Sequence, residues 1–284
     1  MTRRVRWGRL VAGYVVLVIF ALIFIGPFLL QLVTSFKTDP DATAHPLSLV
    51  PHPFDLGAWQ RIFGLTPNSS VPVLRWLGNS VLVAVLITTG RVFLDSLAGY
   101  ALARVDFVGR RAVFAGVLGT LAVPGVVLLI PRFLVLKELG IYDTYVGMIL
   151  PIAVDATGIF LMRQAFLKVP VSLEEAARMD GAGPFRIYWS VVLPLVRPAL
   201  ITLTILSFQG SWNEFSYFLV STSSPDHFTL TTGLAQLTSG SLGQGNQYPL
   251  FMGAALITTV PVAVLFFVFQ KRLTRDQLAG GVKG

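Results

Sequence analysis

Residues 10–36 contain no charged side chain. A helix needs about 20 apolar residues to cross a bilayer, whereas the apolar part of a cleavable leader is about 7–15 residues long. The run therefore reads as an uncleaved membrane anchor, although Arg3, Arg4, Arg6 and Arg9 precede it as they would in a leader. Five further apolar runs, at 78–103, 112–135, 144–163, 198–220 and 249–270, meet or nearly meet the same length test, and with 11–34 they make six expected spans. The composition agrees: 54% of residues are hydrophobic and 13% charged, against about 25% charged in soluble domains. The fold class expected is all-α, a polytopic membrane protein.

Lysine and arginine are distributed unevenly over the loops. With the N-terminus inside, the inner side collects Arg3, Arg4, Arg6, Arg9, Arg104, Arg110, Arg111, Arg163, Lys168, Arg178, Arg186, Arg197, Lys271, Arg272, Arg275 and Lys283. The other side keeps Lys37, Arg61, Arg75, Arg132 and Lys137, and Arg91 lies inside a span. The positive-inside rule then puts both termini in the cytoplasm. This asymmetry accounts for the net charge of +8 without nucleic acid, since no basic run with interleaved aromatics occurs. Cysteine is absent, which excludes disulfides, thiolate metal sites and a cysteine nucleophile.

One polar island interrupts the spans on the inner side, SLEEAARMDGAGPFRIYWSVVLP at 172–194. Ser172 is placed to cap a helix with Glu175 answering three residues later, Gly181 and Gly183 to stop it, and Pro184 to start a second one. Such a capped helix-turn-helix is too polar to enter lipid. On the outer side lie a loop at 37–77, a short one at 137–143, and one at 221–248 whose SGSLGQGNQ core reads either as a mobile partner-touching loop or as a solvated connector.

Glu175-Ala176-Ala177, then Gly181, then Val191-x-Leu193-Pro194 resemble the EAA loop of ABC importer permeases, with Val191 where the family has isoleucine. SLAGYALARVDFVGRR at 96–111, WNEF at 212–215 and the tail at 270–284 are similar to permeases of the carbohydrate, maltose-permease type. The resemblance implies a type I importer fold, with a cytoplasmic N-terminus (1–10), a permease domain (11–270, coupling loop 164–197) and a cytoplasmic tail (271–284). It implies ATPase coupling through Glu174, Glu175, Ala176, Ala177, Asp180, Gly181, Ala182, Leu193 and Pro194. Implied partners are a second homologous permease in a heterodimer, two ATP-binding subunits that carry the ATP and magnesium, an extracytoplasmic solute-binding protein and membrane lipid. No cofactor is expected on this chain. The location implied is the inner membrane of a prokaryote, and the cargo a sugar or oligosaccharide, with a phosphorylated polyol such as glycerol phosphate as the alternative.

Residues inside the spans carry the remaining chemistry. Arg91 and Asp95, four apart, read as a neutralised pair on one helix face or as a polar path lining. Asp155 either faces the path or makes a helix contact. Phe208, Trp212, Asn213 and Glu214 combine aromatic faces with donors and acceptors suited to a polyhydroxylated cargo, or else pack the bundle. Gly253, Ala254 and Ala255 read as helix-packing residues, and Pro124, Pro131 and Pro261 as kinks. No G-x-x-x-x-G-K-[ST] loop, Gly-x-Ser-x-Gly elbow or metal-ligand spacing occurs, so ATP hydrolysis and hydrolase chemistry lack their parts. An ion-coupled secondary transporter would have only Asp155 and Glu214 to work with and would leave the island unexplained.

Overall fold

The computed structural model describes residues 7–66, 71–238 and 247–280. In chain order the helices are α1 Trp7–Thr34, α2 Asp39–Ala44, α3 Gly57–Ile62, α4 Val73–Arg104, α5 Arg110–Leu121, α6 Leu129–Glu138, α7 Tyr145–Ile149, α8 Ala156–Leu167, α9 Val171–Met179, α10 Pro184–Arg186, α11 Leu193–Leu195, α12 Arg197–Asn213, α13 Ser216–Ser221, α14 Leu230–Thr238 and α15 Tyr248–Gly280. Short 3-10 turns lead into α6 and follow α7, and a π-helical turn, Ile187–Val192, joins α10 to α11. No strand occurs among the described residues.

Three unbroken helical stretches, Val11–Thr34, Val73–Arg104 and Tyr248–Phe269, are long and apolar enough to cross a membrane, close to the expected 11–34, 78–103 and 249–270. The other three expected spans are broken. Residues 112–135 fall on Arg110–Leu121 and Gly125–Glu138, bent by 98°, and 144–163 on Tyr145–Ile152 and Ala156–Leu167, bent by 43°. Pro184–Leu195 and Arg197–Asn213 meet at 83°, just before the expected 198–220, which is itself interrupted after Asn213. Counting each bent pair as one crossing gives up to six. Pro124 sits at the first break, whereas Pro131 and Pro261 lie within helices that continue through them.

The chain divides into two compact units, 1–74 with 233–261 and 75–232 with 262–284. In the first, the loop after α1 folds on itself. Lys37, 1% exposed, donates to the His45 carbonyl at 2.7 Å, and Asp41 accepts from the His52 N–H at 2.9 Å. The Phe36 ring stacks on Phe54 and tilts against Trp59. Gly253 lets α15 close on this layer, since a Cβ there would stand 2.8 Å from Ile62 Cδ1, and Ala254 is fully buried. These are the packing roles expected of both residues.

In the second unit, α4 is the spine. Val83 and Ile87 pack with Leu136, Met148, Ile152, Tyr217 and Phe218, and further along Tyr100 packs with Met162, Phe166, Ile187, Tyr188 and Val192. The charged residues of α4 serve backbone groups freed at helix ends. Arg91 and Asp95 form no salt bridge with each other, contrary to the pairing expected. Arg91 Nε donates to the Ile152 carbonyl (2.8 Å) and Asp95 Oδ1 accepts the Asp155 N–H (3.0 Å), so the two clasp the break between α7 and α8. Buried non-helical backbone needs such partners because lipid supplies none.

The start of the 221–248 segment is pinned by hydrogen bonds along 223–230. Asp143, itself at φ +56°, accepts from the Ser223 and Ser224 N–H groups and bonds His227. Asn79 donates to the carbonyls of Asp226 and Phe228, and Ser80 accepts from Leu230 N–H. Residues 239–246, most of the SGSLGQGNQ core, lie outside the described residues.

Burial alone would raise the Asp143 pKa, but the two N–H groups and His227 outweigh it and hold the carboxyl below its usual 3.8. A depressed pKa stabilises the folded form above the unfolded value, and that contribution is lost as pH falls through the folded value. Protection factors of the amides at 222–230, corrected for the intrinsic exchange rate, should therefore be high at pH 5 and fall below about pH 3.8. Gly158 offers a steric test: a Cβ there would stand 2.1 Å from Asp95 Oδ2 and 2.9 Å from Leu203 Cδ1. Gly158→Ala is expected to cost about 1–3 kcal/mol by overpacking. Gly210→Ala, whose Cβ would have its nearest contact at 3.8 Å, should leave thermal stability of the purified protein unchanged.

Candidate functional site

The polar island folds as the expected hairpin, with a different cap. Helix α9 starts at Val171 after Pro170, with no side-chain cap, so neither Ser172 nor Glu175 plays the capping role expected of it. Proline lacks the N–H that a first turn would leave unpaired, which makes Pro170 a natural entry. The stop is at Gly181 as expected: its φ is +81°, its N–H bonds the Arg178 carbonyl, and Ala182 N–H bonds the Ala177 carbonyl at 2.9 Å. This is a Schellman closure. The chain restarts at Pro184.

Glu174 anchors the hairpin. It is 1% exposed, its Oε1 lies 2.9 Å from Arg104 Nε, and its Oε2 is 3.4 Å from both Arg178 and the Tyr100 hydroxyl. Arg104 also donates to the Phe166 carbonyl (2.7 Å) and to that of Val169, tying together the ends of α4 and α8 and the start of α9. Ala177 and Ala182 pack against the Tyr100–Tyr188 cluster, as does the half-buried Leu193, with Pro194 half-buried beside it. The Ser96 and Tyr188 hydroxyls share a buried 2.7 Å hydrogen bond.

The nine residues implicated in coupling thus divide. Glu174, Ala177, Ala182, Leu193 and Pro194 turn inward or sit half-buried, while Glu175, Ala176, Asp180 and Gly181 stand exposed. The hairpin shares a core with α4 and α8, and the small Ala177 packs against that shared cluster. Three hairpin residues beyond the motif also stand exposed: Met179 (89%), Phe185 (68%) and Trp189 (52%), the last two rings stacked at 6.5 Å, with Trp189 beside a cavity lined by Val92, Phe93 and Leu200. Exposed large apolar groups in a polar hairpin were a signal available in the sequence. The anchors Arg104, Tyr100 and Ser96 had none, because their partners are 62 or more residues away.

The residues read as a substrate path are only partly gathered. Phe208 and Trp212 stack at 5.8 Å, and Trp212 is buried. Glu214 Oε1 accepts the Tyr217 N–H at 2.8 Å and its carbonyl accepts from Thr231, so it joins α12 to α13. Asn213 is exposed, and Asp155 is half-buried at the α7–α8 break. Among the described residues no three His, Cys, Asp or Glu side chains converge to hold a metal.

Residues 95–277 match the model of the family described as "binding-protein-dependent transport system inner membrane component". The chain is 34% identical over 264 residues to the arabinooligosaccharides transport system permease protein AraQ of Halalkalibacterium halodurans, covering 93% of each. It is 32% identical over 266 residues to the sn-glycerol-3-phosphate transport system permease protein UgpE of Yersinia enterocolitica, covering 92% of this chain and 93% of that one. Among solved structures it resembles a bacterial ABC transporter involved in import of the acidic polysaccharide alginate, with a TM-score of 0.78, 26% identity, and 95% and 99% coverage. The chain belongs to this family of inner-membrane transport components, an ABC importer permease of the type I fold.

Breaking a buried ion pair typically costs about 3–5 kcal/mol. Glu174→Ala should accordingly detach the hairpin and lower the melting temperature markedly. Glu175→Ala, on the exposed face, should melt within a degree or two of the parent.

Proposed function

We propose that this chain is the permease subunit that carries a sugar or oligosaccharide through half of a binding-protein-dependent importer. It pairs with a second, homologous permease. Two ATP-binding subunits, which hold the ATP and magnesium, dock on the hairpins, and a solute-binding protein delivers cargo from the other side. Both termini and the hairpin face the cytoplasm in this reading, and the chain has no ATPase site of its own.

The observation that carries the reading is the hairpin's two-sidedness. Its inner face is fixed to α4 and α8 through Glu174 and Arg104, and its outer face presents Glu175, Ala176, Asp180 and Gly181 with the exposed Met179, Phe185 and Trp189. A surface of this kind suits a protein cleft, and its rigid attachment lets a push on the hairpin reach the spans. Nucleotide then drives transport through its differential affinity for two states of the whole assembly. Glycerol phosphate is the second reading of the cargo, supported by the name of the Yersinia relative.

Purification of the chain from its native membrane should recover a second permease and an ATPase whose turnover rises with cargo-loaded binding protein. Recovery of the chain alone would reject the assembly. Gly181→Trp and Glu175→Lys should abolish uptake while membrane insertion persists. A Cβ at Gly181 meets nothing within 4 Å, but at φ +81° any side chain also strains the turn that closes α9, so Glu175→Lys is the cleaner of the two tests. Normal uptake by both variants would overturn the coupling role.

A further inference from the structure

We infer that the loop after α1 is an interfacial collar, with residues 46–65 resting in the boundary layer of the bilayer on the side where α1 ends. The inference needs only that the chain spans a membrane; neither cargo nor ATPase enters it.

The outward chemistry of this loop is the reverse of a water-facing one. Leu47, Leu49, Val50, Phe54, Phe63 and Leu65 are each 50–77% exposed. No charged residue from 37 to 65 stands exposed: Lys37 and Asp41 are buried, and Asp39, Asp55 and Arg61 are half-buried. Single apolar side chains on a surface are ordinary, but six in so short a stretch with no exposed charge among them mark a surface that meets something other than water.

Packing sets the depth of the loop. A Cβ on Gly253 would stand 2.8 Å from Ile62 Cδ1, 3.5 Å from Ser35 Cβ and 3.8 Å from Trp59 Cε2. Helix α3 and the end of α1 therefore rest on α15 inside its span, about 7.5 Å along the helix from Tyr248. Phe54 stacks on Phe36 at 5.1 Å, the Asp55 N–H donates to the Phe36 carbonyl at 2.9 Å, and Lys37 donates to the His45 carbonyl. Both ends of the 46–54 tip thus return to Phe36 and Lys37, just past the last residue of α1. The loop is held at the level where one span ends and another begins, which is where the bilayer surface lies. The exposed apolar side chains of α1 run up to it as far as Leu32.

The backbone of the tip also suits lipid. Irregular backbone cannot enter hydrocarbon, but an interfacial segment lies about 5–10 Å into the headgroup boundary. Pro46, Pro51 and Pro53 bring no N–H, and the N–H groups of Ser48, Val50 and His52 go to the His45 carbonyl, Ser48 Oγ and Asp41 Oδ2. With no exposed lysine or arginine, the attachment is apolar and does not require anionic lipid.

The chain has no cysteine, so single nitroxide labels can be placed at Leu47→Cys, Leu49→Cys and Leu65→Cys. Leu22→Cys in α1 serves as the lipid reference, and Asp106→Cys, at a side chain 94% exposed, as the water reference. The purified chain, with its native subunits and without binding protein, is reconstituted in vesicles of phosphatidylethanolamine and phosphatidylglycerol. Spin-label saturation then compares access of oxygen, which concentrates in lipid, with access of a nickel chelate, which stays in water. The oxygen-to-chelate ratio at the three loop labels should lie severalfold above that at Asp106→Cys and approach that at Leu22→Cys. It should not change when phosphatidylcholine replaces the phosphatidylglycerol.

A ratio equal to that of the water reference overturns the inference. Access of neither reagent also overturns it and assigns the loop to another subunit, and a ratio that falls without anionic lipid overturns the apolar attachment. A second measurement needs no substitution: photolysis of a diazirine-bearing phosphatidylcholine around the unlabelled chain should leave lipid adducts within 46–65 as well as in α1. Adducts in α1 alone overturn the inference whatever the labelled variants do.

Discussion

Backbone amides in a membrane must find their partners within the protein, and the second unit is organised around that requirement. Helix α4 meets it with charged side chains. Arg91 and Asp95 hold the two sides of the α7–α8 break, and thirteen residues after Arg91, Arg104 takes the last carbonyls of α8 and the turn into α9. The charges are buried because hydrogen-bonding groups await them, and the helices bend where they do because those charges make bending tolerable. Close approach is the companion requirement. Gly158 meets the Asp95 carboxylate where any side chain would intrude.

The hairpin inherits its rigidity from the same spine. Glu174 shares Arg104 with the end of α8, so α9, α8 and α4 meet at one guanidinium. From there the Tyr100, Phe166 and Tyr188 rings extend the contact into the bundle, with Tyr100 and Phe166 edge-to-face at 5.4 Å. The family assignment implies an ATPase and a binding protein among the chain's partners. Glu174 and Arg104 fix α9 to the ends of α4 and α8, so the hairpin and the bundle are joined through buried groups.

Much of this was legible in the sequence, and what was not has physical causes. Apolar runs gave the spans, and Gly181 and Pro184 gave the turn of the hairpin. Run length cannot distinguish one straight helix from two halves at an angle, since both keep the same residues out of water, although Pro124, Pro151 and Pro194 mark where the halves meet. Adjacent glutamates were equally obscure. Successive helix residues point about 100° apart, so whether Glu174 or Glu175 is buried depends on the phase of α9 against α4, a long-range fact. Arg91 and Asp95 misled for the same reason: the i,i+4 spacing offered a local partner, and the distant backbone won.

Helix α1 stands apart from these arrangements. Among the described residues its most apolar window has no buried residue, and Phe24, for example, is 69% exposed. Such a segment is apolar enough to enter the bilayer on hydropathy alone, as soon as it is made. The broken spans have no such freedom. The carbonyl of Ile152 and the N–H of Asp155 are unmet until α4 lies alongside, so α7 and α8 must settle against a helix synthesised before them. Biogenesis of the chain thus acquires a direction in time, with the early helices waiting in lipid to receive the later, bent ones.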